Sequence, residues 1–434
     1  MTDSAKIVVV GGGAGGLELV SKLGKRLGRR GKANVILVDR DSTHIWKPLL
    51  HEIATGVLDQ SLDETAYQGH GAQYGYNYQL GTMAGLNRDK REVKLAPLRD
   101  DDGNEVLGER RIGYDYLVLS LGSISNDFGT PGVADHCYFL DSARQAEIFR
   151  RAMLNKFLRY GHGDTHNHPR LSIAIVGGGA TGVELSAELL GATQMLASYG
   201  YSSIGRDQLN VHLIEAAPRL LPALPERIGR AIYKQLDAMG IEIHLETKIT
   251  HADHYGFDTA GGGRIDADLT VWAAGVRGAD VLTQLGLSTA PNNRIKVNQT
   301  LQSVDDKRIF AIGDCAACPQ GDDDKTVPPR AQAAHQMAST LYTNIRAELA
   351  GKPLKPFHYR DFGSLISLSH FDAVGNLMAS ASKGHLFVEG RLAKWFYVSL
   401  YRMHQRTIHG TFNTLLKMIV DRLNSVLRPN LKLH

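Results

Sequence analysis

The sequence predicts an α/β protein in which one strand–turn–helix unit occurs twice, followed by an amphipathic segment near the C-terminus. The first copy is IVVVGGGAGGLELVSKL at residues 7–23, and the second is IAIVGGGATGVELSAEL at residues 173–189. In each copy a short apolar run precedes the glycines, and apolar residues at helical spacing follow them. The third observation is the stretch 391–434, where basic residues accompany a stripe of apolar ones.

Length and composition indicate a globular protein with more than one domain. The chain has 434 residues, of which 43% are hydrophobic, and a formal net charge of +4; single domains usually hold about 100 to 200 residues. It contains no run of five like charges, so we expect no nucleic-acid partner. Three cysteines form no disulfide framework, which favours a reducing compartment. No apolar stretch is long enough to span a bilayer, so any membrane contact should be peripheral.

Both turns carry the G-x-G-x-x-G pattern of a Rossmann-type dinucleotide-binding unit. The first glycine permits the tight turn, the second lets the backbone approach a pyrophosphate, and the third lets helix and strand pack closely. Unpaired N–H groups at the start of the following helix favour phosphate oxygens. The glycines assigned to these sites are Gly11, Gly13, Gly15 and Gly16 in the first copy, and Gly177, Gly179 and Gly182 in the second.

A Rossmann unit also has an acid at the end of its second strand, where it binds a ribose hydroxyl. The run ANVILVDR supplies Asp39, and the run LNVHLIE supplies Glu215. Glu215 lies further from its glycines than Asp39 does, which we explain by an inserted loop at residues 198–208. Because a carboxylate repels a 2′-phosphate, Glu215 predicts NAD(H) rather than NADP(H). The alternative is a pair of glycine-rich turns in another α/β fold.

Three further strand-like runs end at glycine: YDYLVLSLGS ends at Gly122, RIFAIGDC at Gly313 and Asp314, and DLTVWAAGV at Gly275. With these runs the sequence resembles the flavoprotein reductases that have two dinucleotide-binding domains and are related to glutathione reductase.

That resemblance implies that the N-terminal turn, Asp39, Gly122, Gly313 and Asp314 hold FAD, while the second turn, Glu215 and Gly275 hold NADH. It implies a discontinuous FAD domain at residues 1–120 and 290–370, an NADH domain at 121–289, and a membrane-association region at 371–434.

Four stretches narrow the resemblance to the type II NADH:quinone oxidoreductases, the single-polypeptide respiratory NADH dehydrogenases of bacteria. They are GGGAGGLE, GGGATGVELSAEL, AIGDCAACP and PPRAQAAHQMA. The resemblance implies FAD-dependent oxidation of NADH with two-electron reduction of a membrane quinone, ubiquinone or menaquinone, without proton pumping. It places the protein at the cytoplasmic face of the inner membrane, and it leaves a homodimer open.

The resemblance also suggests three catalytic residues. It implies that Glu184 lies beside the flavin and nicotinamide, and that Gln332 and Gln336, four residues apart on one helix face, border the flavin and the quinone entrance. A carboxylate in the first turn of a helix can instead complement the helix dipole, and the glutamines can belong to a solvent-exposed helix face. The sequence assigns no role to Lys47, His51 or His335.

Cys315 and Cys318 form a C-x-x-C pair that is compatible with a redox dithiol, half of a zinc site or a structural role. Structural zinc needs four ligands and the chain has no second cysteine pair, so we predict no metal site.

The stretch 391–434 contains eight Lys or Arg residues and a single acid, Asp421. Seven apolar residues recur there at helical spacing: Leu415, Leu416, Ile419, Val420, Leu423, Val426 and Leu427. Trp395, Phe396 and Tyr397 precede them. A basic amphipathic helix with aromatic residues predicts binding to an anionic membrane surface; the alternative is a helix packed on its own protein or on a second subunit.

Two other functions remain compatible with two nucleotide sites. One is a soluble NADH-dependent flavoprotein that reduces a small protein, a disulfide or a peroxide, and the other is a non-catalytic FAD redox sensor. The first would be favoured by a cysteine on the helix after a nucleotide turn, which neither copy contains.

Overall fold

The computed structural model describes residues 4–161, 170–198, 208–321, 325–368, 372–378 and 385–427. The chain divides into two compact units. Unit 1 comprises Met1–Trp46, Glu64–Ile124 and Val276–Asp361, and unit 2 comprises Lys47–Asp63, Ser125–Gly275 and Phe362–His434. The predicted inserted loop falls mostly in residues 199–207, which lie outside the described residues. The residues beyond Leu427 also lie outside them, and they include the basic residues Arg428 and Lys432.

The described residues form the strands β1 (Ala5–Val10), β2 (Ala33–Asp39), β3 (Thr43–His44), β4 (Thr65–Ala66), β5 (Asn77–Leu80), β6 (Met83–Asn87), β7 (Glu92–Leu95), β8 (Leu98–Arg99), β9 (Glu105–Leu107), β10 (Arg110–Gly113), β11 (Tyr116–Leu119), β12 (Ser123–Ser125), β13 (Leu171–Val176), β14 (Leu209–Ile214), β15 (Glu242–His244), β16 (Ile249–Asp253), β17 (Gly256–Thr259), β18 (Arg264–Asp266), β19 (Leu269–Trp272), β20 (Val276–Gly278), β21 (Thr289–Ala290), β22 (Arg294–Lys296), β23 (Ile309–Ala311), β24 (Ala316–Ala317), β25 (Gly363–Leu368), β26 (Asp372–Met378) and β27 (His385–Glu389).

The helices are α1 (Ala14–Arg26), α2 (Leu50–Thr55), α3 (Gln60–Asp63), α4 (Tyr67–Tyr74), α5 (Val133–His136), α6 (Ala143–Gly161), α7 (Ala180–Ser198), α8 (Glu226–Ala238), α9 (Ala331–Glu348), α10 (Arg391–His409) and α11 (Thr411–Leu427). None of the helices described here combines the length and the apolar character needed to cross a bilayer.

Unit 1 is built on a five-stranded parallel sheet in the order β23-β11-β1-β2-β5. The apolar run of the first repeat forms β1, whose residues from Ile7 to Val10 are buried. Its neighbours β2 and β11 are parallel to it, and α1 packs against α9 and α4. Neighbouring parallel strands need a long crossover connection, usually a helix, and α1 of the first repeat is the crossover from β1 to β2.

Unit 2 contains a four-stranded parallel sheet in the order β15-β14-β13-β19. All six residues of β13, the strand of the second repeat, are buried, and α7 follows the glycine turn. An antiparallel sheet of β16, β17 and β18 accompanies it. Each repeat therefore forms the predicted strand–turn–helix unit beside a parallel sheet, and the α/β class with two Rossmann-type units is confirmed.

Two segments lie in unit 2 that the predicted domain ranges place elsewhere. Residues 47–63 belong to unit 2 because α2 packs against α6 and α7. The tail also belongs to unit 2, because α10 packs against β25 and β26. Sequence periodicity could not assign these segments, since it reports the face of a helix and not its partner.

The tail ends in two helices that both expose apolar side chains, three on the described part of α10 (Val398, Leu400 and Met403) and more on α11. Gln405 and Ile408 of α10 are buried, and the Tyr401 hydroxyl donates a hydrogen bond to the Asp63 carboxylate at 3.0 Å. Helix α11 packs on α10, yet it leaves a row of apolar side chains exposed: Phe412, Leu415, Leu416, Met418, Ile419, Val420 and Leu423. We call this row the α11 face.

Candidate active site

The residues predicted to bind FAD lie at one edge of the unit 1 sheet. Strands β1, β2, β11 and β23 run parallel, so their carboxyl ends meet at the edge where α/β proteins bind ligands. Gly11 follows β1 with a φ of +101°, and a Cβ there would lie 2.2 Å from the Ser120 carbonyl oxygen. A Cβ at Gly16 would lie 1.9 Å from the Gly11 carbonyl oxygen. Both positions therefore require glycine for the turn itself.

Gly13 and Gly15 have different surroundings in the same turn. A Cβ at Gly13 would meet no protein atom within 4 Å, whereas one at Gly15 would lie 3.1 Å from the Ala334 carbonyl oxygen on α9. Gly13 immediately precedes α1, so the open space lies at the helix N-terminus, where a phosphate is favoured. The turn thus fits a dinucleotide pyrophosphate at Gly13, while Gly15 serves the contact with α9.

The acid at the end of β2 is hydrogen-bonded to the glycine turn. Asp39 accepts the Gly12 N–H at 2.5 Å and the Asp41 N–H at 2.9 Å. Burial raises the pKa of this carboxyl group, and the two N–H donors act against that rise. The turn and the acid therefore form one polar cluster at the edge of the sheet.

The later motifs contribute to the same edge of unit 1. Gly122 follows β11 and Gly313 follows β23, the strand paired with β11. Asp314 accepts a hydrogen bond from the Ser123 hydroxyl at 2.8 Å. Residues separated by almost two hundred positions are thus brought together, and their common role in holding FAD stays a prediction.

Unit 2 repeats the geometry of the first turn. Gly177 has a φ of +116°, a Cβ at Gly182 would lie 2.0 Å from the Gly177 carbonyl oxygen, and a Cβ at Gly179 would meet nothing within 4 Å. Glu215 accepts the Gly178 N–H at 2.7 Å and the Ala217 N–H at 2.8 Å. Each acid therefore accepts a hydrogen bond from the glycine that lies between the first two glycines of its motif, Gly12 or Gly178. Each turn leaves open space at the next residue, Gly13 or Gly179.

Gly275, three residues after β19, lies close to a surface loop of unit 2. A Cβ there would lie 2.4 Å from the ring of Phe128, and the Gly275 carbonyl accepts the Asn126 N–H at 3.4 Å. The structure therefore explains this glycine by packing against residues 126–128, and the role in NADH binding stays a prediction.

Glu184 lies in a buried polar cluster of unit 2. It is the fifth residue of α7, beyond the first turn, so the interpretation as a partner for the helix dipole is wrong. Its side chain accepts the Ser367 N–H at 3.0 Å, and its other oxygen lies 3.7 Å from His51 Nδ1. The total exposure of Glu184 is 7%.

Burial shifts both members of this pair toward their neutral forms. It raises the pKa of Glu184 to about 8 and lowers that of His51 to about 4. The distance alone would allow an ion pair, but at neutral pH these shifts give a protonated carboxyl group beside an uncharged imidazole. Nε2 of His51 is buried without a hydrogen-bond partner among the described residues. Perturbed groups of this kind mark candidate functional sites.

Gln332 and Gln336 lie on one face of α9, and both amides contact the end of unit 1. Gln336 donates to the Arg360 carbonyl at 2.8 Å and accepts the Arg360 N–H at 3.0 Å. Gln332 donates to the Asp361 carboxylate at 3.3 Å. Both side chains are only partly exposed, so this is not the freely solvated helix face that the sequence also allowed.

The C-x-x-C cysteines are buried and free. Burial raises the pKa of both Cys315 and Cys318 to about 11. The Cys315 thiol lies 3.4 Å from the Leu119 carbonyl oxygen and 3.3 Å from that of Ile312. Because the thiolate is the reactive and metal-binding form, this environment favours the structural interpretation.

The polar residues without a predicted role also have partners. His335 Nδ1 bonds to the Glu18 carboxylate, which is fully buried on α1. Lys47 Nζ lies 3.7 Å from the Asp141 carboxylate. His51 is the residue that sequence reasoning missed: its proximity to Glu184 depends on α2 packing against α7, for which no local pattern gives a signal.

Comparisons with known proteins agree with this geometry. Residues 5–338 match the family model described as pyridine nucleotide-disulphide oxidoreductase. The chain is 49% identical to the type II NADH:quinone oxidoreductase of Haemophilus influenzae, covering 99% of each chain. It is 28% identical to the enzyme of that name from Staphylococcus aureus, over 88% of this chain and 92% of that one.

A solved structure with a similar fold is that of NDH2 from Plasmodium falciparum in complex with NADH. The TM-score is 0.81 at 18% identity, covering 99% of this chain and 100% of that chain. At this identity the likeness concerns the fold. The family model and the relative at 49% identity decide the classification. The chain therefore belongs, as its motifs predict, to the pyridine nucleotide-disulphide oxidoreductases and, within them, to the type II NADH:quinone oxidoreductase family.

Proposed function

We propose that this chain carries out its family's reaction, the FAD-dependent oxidation of NADH with two-electron reduction of a quinone, through the residues described above. The observation that carries the assignment is the repeated turn geometry: Asp39 accepts a hydrogen bond from the Gly12 N–H, and Glu215 accepts one from the Gly178 N–H. Two such sites match a reaction that uses two dinucleotides. The overall conversion takes NADH, quinone and one proton to NAD⁺ and quinol.

The FAD site lies at the sheet edge of unit 1 and the NADH site at that of unit 2. When bound, FAD supplies the chemistry, accepting a hydride equivalent from NADH and passing two electrons to the quinone. Gly13 and the N-terminus of α1 would hold its pyrophosphate, Asp39 would accept a hydrogen bond from a ribose hydroxyl, and Asp314 would lie near the ribityl–pyrophosphate portion. Gly179 and Glu215 would play the roles of Gly13 and Asp39 for NADH, and the Glu215 carboxylate would disfavour the 2′-phosphate of NADPH.

Gln332 of unit 1 acts on the electron acceptor, and Glu184 of unit 2 holds a proton of the kind that the overall reaction consumes. Quinone reduction consumes protons, and Glu184, whose pKa is raised to about 8, carries one at neutral pH. Gln332 donates a hydrogen bond to the quinone. The Gln336 side chain makes hydrogen bonds to the backbone carbonyl and N–H of Arg360, so Gln336 is a positioning residue in this proposal.

Steady-state turnover of the purified protein with NADH and a short-chain quinone tests the function. We expect many turnovers with one quinol formed per NADH. Gln332→Ala is expected to raise the KM for quinone about 2- to 10-fold, the loss of one neutral hydrogen bond, while leaving ferricyanide reduction unchanged.

Gln73→Ala, an exposed change in unit 1, is the control and should leave both rates unchanged. A KM for quinone that is unaltered in Gln332→Ala would remove that residue from the site. A protein that reduces its flavin once but does not turn over would favour the redox sensor instead.

The α11 face supports attachment to a membrane, where the family's quinone substrate resides. The packing leaves the apolar side of α11 exposed, while Asp421 faces α10 and lies 2.7 Å from Arg402. Contiguous exposed apolar residues mark interaction surfaces. An amphipathic helix binds a lipid interface through buried apolar area together with nearby cations, and we propose this mode at the cytoplasmic face of the inner membrane.

Substitution of three residues of the α11 face tests this attachment. The variant Leu415→Asp, Ile419→Asp, Leu423→Asp is expected to remain in the supernatant when sedimented with phosphatidylglycerol-containing vesicles. Each fully buried apolar side chain contributes about 1.5 to 3 kcal/mol, so the partition coefficient should fall by roughly 100-fold or more. Ferricyanide reduction should persist because these side chains are exposed.

The matched control is Val106→Asp with Leu107→Asp, two exposed apolar residues of unit 1. Substitution is preferable to removal of residues 391–434, because α10 contributes buried residues to unit 2. If the triple variant sediments with vesicles as the natural protein does, the membrane role of the α11 face is wrong. If it changes the molecular mass in solution by half, the face joins two copies of the chain instead.

A further inference from the structure

A cluster of metal-ligating side chains lies on the edge of the unit 2 sheet and takes no part in the proposed reaction. It consists of His212 on β14 with Glu242 and His244 on β15, the edge strand. One ligand atom from each lies within 4.8 Å of the other two. We propose that these three side chains form a binding site for a zinc-class divalent transition metal.

The register of two parallel strands places the three side chains on one face. His212 pairs with Glu242, and Ile214 pairs with His244. Side chains alternate along each strand, so residues 210, 212 and 214 of β14 share a face with residues 242 and 244 of β15. The sheet backbone therefore fixes the positions of the three Cα atoms from which the ligand side chains extend.

Two of the three distances within the cluster match those around a tetrahedral ion, and the third pair of ligand atoms lies within 4.8 Å. His212 Nδ1 lies 3.1 Å from His244 Nε2 and 3.3 Å from a Glu242 carboxylate oxygen. Ligand atoms at typical zinc distances and tetrahedral angles are separated by about 3.3 Å. Each nitrogen of a neutral imidazole either donates or accepts, so His212 Nδ1 cannot accept a hydrogen bond from His244 and also donate one to Glu242. An ion can engage all three atoms together.

The surroundings also suit a metal ligand set. Two imidazoles and one carboxylate form a donor set found in zinc enzymes, where a fourth position stays open for water. His212 is largely buried, whereas the Glu242 side chain is 54% exposed, so the site is reached from solvent. Asn210 Nδ2 lies 3.0 Å from His212 Nε2. If the Asn210 amide is rotated so that its oxygen replaces its nitrogen, that oxygen accepts a hydrogen bond from the His212 Nε2–H. Metal-bound histidines have an outer hydrogen-bond partner of this kind.

Equilibrium dialysis of the FAD-loaded, full-length protein against buffered Zn²⁺, followed by elemental analysis, tests the proposal. We expect one tightly bound zinc per chain. His212→Ala and Glu242→Gln should each weaken its binding by at least about 10-fold, since loss of even an outer-shell partner costs about 10- to 100-fold. A zinc-dependent rise in Tm should appear in the natural protein and shrink in both variants.

His251→Ala is the matched control, because His251 also lies beside an acid, Asp258, at 3.4 Å on another sheet of unit 2. It should bind zinc as the natural protein does. Glu242→Gln changes an exposed side chain, so it keeps the test decisive if His212→Ala does not fold. The proposal is overturned if the natural protein binds no zinc, or if both cluster variants bind it unchanged.

Discussion

Replacing Gly13 with alanine is expected to yield a folded protein that has lost most of its FAD, whereas Gly179→Ala should keep its FAD and lose affinity for NADH. Neither new methyl group meets a protein atom within 4 Å, so neither change strains the turn. Each methyl instead enters the space assigned to a pyrophosphate. Overpacking of this kind costs about 1 to 3 kcal/mol, which weakens binding of that nucleotide roughly 10- to 100-fold.

The two variants make opposite predictions for two measurements. The flavin absorbance per chain should fall in Gly13→Ala alone, and the KM for NADH should rise in Gly179→Ala alone. Gly69→Ala serves as the control, since Gly69 also has open space around it and lies on α4 of unit 1. If Gly13→Ala retains its flavin and Gly179→Ala loses it, the two nucleotides have been assigned to the wrong units.

The sequence predicted the turns well because their chemistry is local. A Cβ at Gly16 or Gly182 collides with a carbonyl five residues earlier in the same turn, so the requirement for glycine is written within six residues. The positions of Asp39 and Glu215 beside the turns could be predicted because Asp39 ends β2 and Glu215 directly follows β14, while their binding to a ribose stays a prediction. The long spacing before Glu215 does not alter this geometry, since β14 still ends beside the second turn.

Other features depend on contacts that sequence patterns do not carry. Glu184 is bonded to Ser367, 183 residues away, and the two histidines of the proposed metal site are 32 residues apart. No short motif contains either arrangement, so no sequence pattern signalled the proposed site at His212, Glu242 and His244. Periodicity identified the apolar stripe on α11, but the side that faces solvent was decided by packing on α10.

Replacing Glu184 with glutamine is expected to lower quinone reduction strongly while leaving ferricyanide reduction intact. Glutamine keeps the shape of a protonated glutamic acid but cannot release a proton. A general acid contributes about 100- to 10,000-fold to a rate, so kcat with quinone should fall by about 100-fold or more. Ferricyanide accepts electrons without protons and is the internal control for NADH binding and oxidation.

The pH dependence of kcat with quinone provides the second measurement. In the natural protein Glu184 ionises as the pH rises through about 8, so the rate should decline there, and Glu184→Gln should lack that decline. The control is Glu188→Gln, which replaces a buried carboxyl group one turn further along α7 and leaves Glu184 unchanged. Because Glu188 raises the pKa of Glu184 by like-charge repulsion, this control should shift the decline slightly toward lower pH.

Stability gives a test that does not depend on turnover. The pKa of Glu184 is higher in the folded protein than its ordinary value of 4.5, so its favourable contribution is complete below pH 4.5 and is lost as the pH rises to about 8. The stability advantage of Glu184→Gln, measured as its higher Tm, should therefore grow across this range, and the corresponding change in the free energy of unfolding is on the order of a few kcal/mol. His51, whose lowered pKa acts in the opposite sense below about pH 6.5, is present in both proteins and cancels to first order in the comparison.

Equal Tm differences at pH 5 and pH 9 would mean that Glu184 is not held protonated, and the role as proton donor would then be wrong.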